Sequence, residues 1–367
     1  VALVAILVVS GPRVGLALSG GGFRAAAFGL GCLRALHDKG VLGKVTVVSG
    51  ISGGSLLAAM WAYGPKDFTA FDDQITALLR TGLQRRLVLS ALAPTHVGRS
   101  VAGLVSRAIL GAGDRPSHNR TDLLADLLAR QLLGDRNLRD VTQPNLATVL
   151  TATDLTTART VRFGSLISAS SQHGVILDPI RVADAVAASA AFPILLPAMQ
   201  RTFTFERRGV RTRRTVALTD GGVYDNLGLT VLEPGRNPAY TAHVYPVDYV
   251  VACDAGRQER GDSTARRWPR RLQRSFDITY RKTQDGGRAR LFGAEQSGEI
   301  DGFVHAYLGM RDEHLPVPIP GLVPMSRVNR YPTNFAAMSV HDLCAVTTRG
   351  EQLTSALLQH YCPGLLG

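Results

Sequence analysis

Lysine is nearly missing from this 367-residue chain. Lys39, Lys44, Lys66 and Lys282 are the only four, although Lys and Arg together number 41 against 29 Asp and Glu. The net charge of +12 is therefore carried by arginine. Such an excess favours an acidic partner, either a membrane surface or a nucleic acid. An arginine-for-lysine skew beside abundant alanine and glycine is also what GC-biased coding produces, and arginines of that origin would be scattered and paired with acids. Aromatic residues are scarce as well, at 6%. Proteins that bind single strands by stacking interleave aromatics with their basic residues. The run Arg266-Arg267-Trp268-Pro269-Arg270-Arg271 holds one Trp, so no nucleic-acid partner is expected. That run, with Arg85-Arg86 second, is instead expected on anionic headgroups; its bland alternative is a solvated loop.

Cysteine is also sparse. Cys32, Cys253, Cys344 and Cys362 form no CxxC pair and show no regular spacing. This excludes a disulfide framework and a zinc site. A reducing, cytoplasmic compartment fits, with peripheral contact to membranes. No His/Asp/Glu spacing suggests a metal, and no cofactor is expected. Long apolar runs are absent too. The stretch Val1 to Val9 is far short of the roughly 20 residues that span a bilayer, and it lacks the basic flank and cleavage site of a signal peptide. It is expected to be a buried or edge segment, or the end of a longer anchor, since the numbering opens on Val. What the chain does have is apolar bulk. With 45% hydrophobic and 19% charged residues it can bury a sizeable core, which excludes wholesale disorder.

Along the chain, Val14 to Leu18 reads as a strand ending in Ser19-Gly20-Gly21-Gly22. Helical spacing follows from Phe23 to His37, then a β-branched strand at Val45 to Val48, a turn at Ser49 to Gly54, and a helix from Leu56 to Tyr63. Strand, helix, strand, helix at this pace predicts a mainly parallel sheet with helices on both faces. Residues 66–145, rich in Leu, Ala and Arg, read as a helical insertion. Leu146 to Thr153 and Arg159 to Phe163 suggest a hairpin, as do the alternating stretches of Arg201 to Val216 around Glu206-Arg207-Arg208-Gly209. Asp178-Pro179 is expected to open a helix through Ala188, and Val247 to Cys253 to form a buried strand. An arginine-rich irregular region is expected to about Arg274, with a second irregular loop marked by Pro316, Pro318, Pro320 and Pro324. One catalytic domain is expected over residues 1–367, its core at about 13–255 and a basic, Pro-rich extension at about 256–367.

Chemistry concentrates in four places. Gly50-Ile51-Ser52-Gly53-Gly54 fits G-x-S-x-G between a strand and a helix, the setting in which a serine is held exposed at a sharp turn. The helix N-terminus that follows adds unpaired N–H groups and a favourable dipole. Gly20-Gly21-Gly22-Phe23-Arg24 can converge several backbone N–H groups on one anionic atom, while Arg24 could steady that loop or meet a phosphate. Gly20, Gly22 and Ala25 also satisfy the dinucleotide pattern G-x-G-x-x-G/A. That pattern expects an acid at the end of the second strand, where this chain has Ser49-Gly50-Ile51-Ser52 and the only acid nearby, Asp38, ends a helix. Asp220-Gly221-Gly222 follows a strand-like stretch, so Asp220 could take a proton from a neighbouring hydroxyl. Last, Ala188-Ser189-Ala190-Ala191-Phe192-Pro193 ends a helix with small residues and a proline.

These four pieces, in this order, resemble the patatin-like phospholipase family, over roughly residues 13 to 255. The resemblance implies a three-layer α/β/α patatin-like fold with a helical insertion. It also implies a serine acyl hydrolase acting on fatty-acyl esters of lipids. Ser52 matches the family's nucleophile, Asp220 its general base, and Gly20-Gly21-Gly22 with the basic Arg24 its oxyanion loop, where backbone N–H groups of Gly21, Gly22 and Gly53 would hold the oxyanion. Ala25 stands where the family usually has a further glycine, a departure expected to bear on helix packing. Two other readings predict different chemistry. A Ser-Asp-His hydrolase would recruit one of His243, His305, His314, His341 or His360. A non-catalytic lipid-binding protein would have lost the nucleophile or the base, and both are present.

Overall fold

The structure, a computed structural model, describes residues 11–84, 119–193, 195–257 and 268–366. The apolar run at 1–9, Arg85-Arg86 and Arg266-Arg267 lie outside the described residues, and of Trp268 and Arg270 only the backbone is described. The β-branched and apolar runs form the expected parallel strands. β1 (Val14–Leu18) lies between β2 (Val45–Gly50) and β9 (Tyr249–Asp254), with β3 (Ala147–Asp154) beyond β2 and β10 (Gly302–Tyr307) outside β9. These five strands are parallel. Successive side chains of a strand alternate between faces, so Leu16 and Leu18 enter one apolar core while Ala17 enters the other. Val251 and Cys253 divide from Val250 and Ala252 in the same way. Near-continuous apolar runs are what a sheet covered on both faces needs.

One face is covered by α1 (Gly22–Asp38), α2 (Gly53–Tyr63), α3 (Phe68–Thr81), α4 (Arg120–Leu128) and α5 (Val182–Ser189). Opposite, the core takes in Leu291 and Ala294 of α6 (Trp268–Gln296). Beyond β3 the sheet turns antiparallel through β4 (Arg159–Gly164), β5 (Ala169–Ser170), β6 (Gly174–Ile176), β7 (Met199–Arg207) and β8 (Val210–Asp220). Among the described residues the sheet thus has ten strands, parallel at its centre and mixed overall. β8 also pairs back with β3, Ala152 opposite Asp220, which closes β3 to β8 on themselves and brings Asp220 beside the parallel strands.

Two local expectations are corrected. The helix expected from Asp178-Pro179 starts only at Val182. Leu138 N–H donates to Ile180 O, and Arg181 bridges to Asn137, which keeps this stretch extended. The Asp178 carboxylate accepts Thr204 N–H of β7 rather than capping the helix. The irregular region expected to about Arg274 gives way at Trp268 to α6, a helix disguised by Pro269 near its start and Gly286-Gly287 inside it. The C-terminal stretch packs into the same layers. It supplies β10 and the helix α7 (Val340–Tyr361), which packs on α1. The buried Arg349 of α7 donates to Leu308 O at 2.9 Å, Val323 O at 2.7 Å and Asp312 at 2.9 Å, pinning the Pro-rich loop to the helix.

Candidate active site

β2 ends at Gly50 and α2 begins at Gly53, so Ile51 and Ser52 must reverse the chain. Ser52 has φ 52° and ψ −116°, a conformation that costs a non-glycine residue about 1–3 kcal/mol and persists only where its surroundings enforce it. The glycines around it allow close approach. A β-carbon on Gly53 would collide with the carbonyl of Gly22, so the two glycine-rich turns lie directly against each other.

The first of these turns is braced from both sides. Ser19 N–H donates to Cys253 O at 3.1 Å, Gly20 N–H to Asn226 O at 2.9 Å, and Phe23 N–H to Asn334 O at 2.8 Å. Between them Gly21 (φ 144°) and Gly22 (φ 60°) take conformations that favour glycine. Among the described residues the N–H groups of Gly21, Gly22 and Gly53 donate to nothing in the chain. Gly20, grouped with them by sequence, is committed to Asn226 and so serves the loop's shape. Arg24 is buried, and its guanidinium donates to Ala255 O and Tyr331 O, each at 2.8 Å. These bonds support the steadying role among the two open to it.

Asp220 ends β8 and is 3% exposed. Its N–H is held by Ala191 O at 3.0 Å, within the small-residue segment. Burial pushes its carboxyl up to about 6, against two donors that favour the ionised form, Gly222 N–H at 2.7 Å and the Ser52 hydroxyl. The structure thus brings Ser52 and Asp220 into contact. Among the described residues neither has a histidine as hydrogen-bond partner. His243 is buried, with burial holding it well below the usual histidine range, and faces Tyr245 Oη at 3.3 Å. His305 pairs with Asp254 at 3.0 Å. A cavity of about 170 Å³ beside β7 and β8, lined by Phe163, Met199 and Leu218, includes neither Ser52 nor Asp220. No group of three metal-ligating side chains occurs among the described residues.

Sequence reasoning missed Ser189, the last residue of α5. Its Oγ accepts Ser52 N–H at 3.0 Å, lies 2.7 Å from Ser55 Oγ, and donates to Thr151 O at 2.6 Å. With one proton given to Thr151, both other contacts must be accepted, so the hydroxyl is fully used. Its carbonyl also accepts Gly221 N–H at 3.3 Å. One residue therefore ties the strained elbow to the Asp-Gly-Gly turn. The available signal was a lone hydroxyl in a run of alanines. Asn226 and Asn334, which hold the glycine loop, carry no local motif at all. Ser189→Ala leaves a buried N–H, hydroxyl and carbonyl unpaired, at about 1–3 kcal/mol each when nothing replaces the partner. The expected outcome is lower stability to denaturant and roughly tenfold lower kcat with KM little changed, since misplacement of the elbow acts on the reacting geometry. Unchanged kcat would remove Ser189 from the positioning of Ser52.

The family model described as patatin-like phospholipase matches residues 16–232. No curated protein sequence matches. Among solved structures, human GIVD cytosolic phospholipase A2 superposes with a TM-score of 0.58 at 15% identity, over 97% of this chain and 60% of that one. The same human protein in complex with methyl gamma-linolenyl fluorophosphonate and terbium chloride gives 0.54 at 15% identity, over 98% and 60%. The chain spans about 60% of the length of the human enzyme, and at this identity the likeness is one of fold.

Proposed function

The chain belongs to the patatin-like phospholipase family, and from that premise we propose that it is a serine acyl hydrolase that cleaves fatty-acyl esters of lipids through a Ser52–Asp220 dyad. The observation that carries this reading is one contact. A strained serine meets a buried carboxylate beside three backbone N–H groups that have no partner among the described residues. Ser52 Oγ attacks the ester carbonyl carbon as Asp220 accepts the hydroxyl proton. The carbonyl π electrons move onto oxygen, and the N–H groups of Gly21, Gly22 and Gly53 hold that charge. Such preorganised donors are each worth about 10²–10³ in rate. Collapse breaks the C–O bond of the ester, and the departing alkoxide of the lipid takes the proton from Asp220. Water then attacks the acyl-serine with Asp220 again as base, releasing the fatty acid and restoring Ser52.

The base must be ionised, and burial raises the folded-state value to about 6. Activity is therefore expected to be level above that pH and to fall about tenfold per unit below it. The check is kcat/KM for a water-soluble ester from acid to neutral pH. An acid limb near the ordinary carboxylate range would mean that the base is a solvated group and not Asp220. A panel of esters graded by acyl length and headgroup tests the substrate class. Release of long-chain fatty acid from lipids is expected, and failure to release it from any lipid would contradict the proposal.

A further inference from the structure

The arginines are unevenly used. Arg13 pairs with Asp248, Arg34 with Asp72, Arg201 with Asp122 and Arg290 with Glu233, the scattered pairing that coding bias alone would leave. The β7–β8 arm differs. Arg207, Arg208, Arg211, Arg213 and Arg214 are all exposed within eight residues that hold no carboxylate, and the adjoining Glu206 binds Arg211 at 2.9 Å. Arg208, Arg213 and Arg214 form no ion pair among the described residues. At the tip, Val210 is 63% exposed.

The direction of this arm is set by strand register. β8 is antiparallel to β3, with Asp154 opposite Leu218, so the residues before Leu218 leave in the direction in which β3 points. β3 is parallel to β1 and β2, whose C-terminal ends carry the glycine loop and Ser52. The arm therefore departs on the side where the candidate site lies. Arg214 is six and Val210 ten residues from Asp220, at most about 20 and 33 Å along an extended strand. Nearer the site, three large apolar side chains are left in solvent. Leu155 (56% exposed) has its N–H on Ala217 O, three residues before Asp220. Leu195 (46%) follows the segment that holds the Asp220 N–H, and Tyr224 (38%) follows the Asp-Gly-Gly turn.

From this placement we infer that the β7–β8 arm and the rim Leu155, Leu195 and Tyr224 form one docking surface for an anionic lipid bilayer. The arginines lie on headgroup phosphates, and the apolar rim sits at the headgroup–acyl boundary around the site. The choice of a lipid surface as partner rests on the acyl-hydrolase reading above. Its chemistry suits the surface, because a bilayer offers negative charge and apolar depth together, whereas a nucleic acid offers only the charge to Val210 and the rim. Basic side chains held near an anionic surface each add roughly a fivefold gain in binding, screened by salt.

Sedimentation with vesicles tests this in the full chain carrying Ser52→Ala, so that binding is read without turnover. The vesicles are phosphatidylcholine alone, or phosphatidylcholine mixed with phosphatidylglycerol. Binding should favour the anionic vesicles, fall with salt, and weaken at least tenfold when Arg208, Arg213 and Arg214 become Ser. Leu155→Ser with Leu195→Ser should remove the binding that survives salt. In the otherwise wild-type chain, the triple arginine variant should hydrolyse a water-soluble ester at the unaltered rate. Equal partitioning onto both vesicles, or undiminished binding by the arginine variant, would overturn the inference. So would loss of duplex DNA binding by that variant while vesicle binding persists. If vesicles bind as expected but no ester is cleaved, the docking surface stands and the acyl-hydrolase proposal fails.

Discussion

Ser52→Ala should abolish lipid ester hydrolysis, a loss of at least about 10⁴-fold, as expected when the nucleophile of a cooperating group is removed. The fold should survive. Alanine at φ 52° carries much the same backbone strain as serine, and the Ser52 N–H keeps its bond to Ser189 Oγ. The Gly21, Gly22 and Gly53 N–H groups stay in place, so residual rate above the uncatalysed reaction would come from them alone. Steady-state rates with a lipid ester, beside a denaturation curve matching the wild type, separate a chemical loss from a structural one.

Asp220→Asn should lower kcat by at least about 10²-fold, in line with loss of a general base. Asparagine keeps an oxygen for Gly222 N–H and presents an amide N–H in place of the second carboxylate oxygen, so the shape is retained while the acceptor for the Ser52 proton is lost. Stability should move the other way. Burial pushes the folded-state carboxyl up to about 6, above its ordinary value of 3.8, so the folded state binds the proton more tightly than the unfolded chain. Stability from this group is then complete below the unfolded value and is lost as pH rises through about 6, by on the order of 3 kcal/mol. The Asn variant does not titrate. Relative to wild type it should gain stability from pH 4 to 7 and level off above, as read by denaturant midpoints across pH. Replacing His243 or His305 should not reproduce the kinetic loss in protein that remains folded. If one histidine proved as essential as Asp220, a Ser-Asp-His mechanism would replace the dyad.

Much of this was legible in sequence because it is local. The β1 bounds, the elbow at Gly50 to Gly54 and the hairpins around Asp154–Arg159 and Arg207–Val210 each follow from short-range signals: apolar runs, glycines, and alternation. What was not legible depends on partners far along the chain. Asp220 is linked to Ser52 in sequence only through the family resemblance, since no local pattern connects them; in the fold they meet because β8 closes onto β3. Ser189 becomes a hub only when α5 brings its end to the elbow. Asn334 reaches the glycine loop from the C-terminal stretch, which carries no motif that would point to it. The start of α5 was misplaced because a tertiary bridge at Asn137 overrode a good local capping signal. The run Arg266 to Arg271 has its side chains outside the described residues as far as Arg270, so the expectation placed on it stands apart from the proposal for the β7–β8 arm, which rests on exposure and on Glu206 being its one acidic neighbour in sequence.

Covalent capture identifies the nucleophile, expected to be Ser52. A fluorophosphonate reacts with an activated serine by losing fluoride and leaving a phosphonyl ester on Oγ, so the modified residue can be read by peptide mass spectrometry. The account predicts one adduct on the peptide that contains Ser52, formed more slowly below about pH 6 and at least about 10²-fold more slowly in Asp220→Asn. An adduct on any other serine, or full labelling of Ser52→Ala, would contradict it.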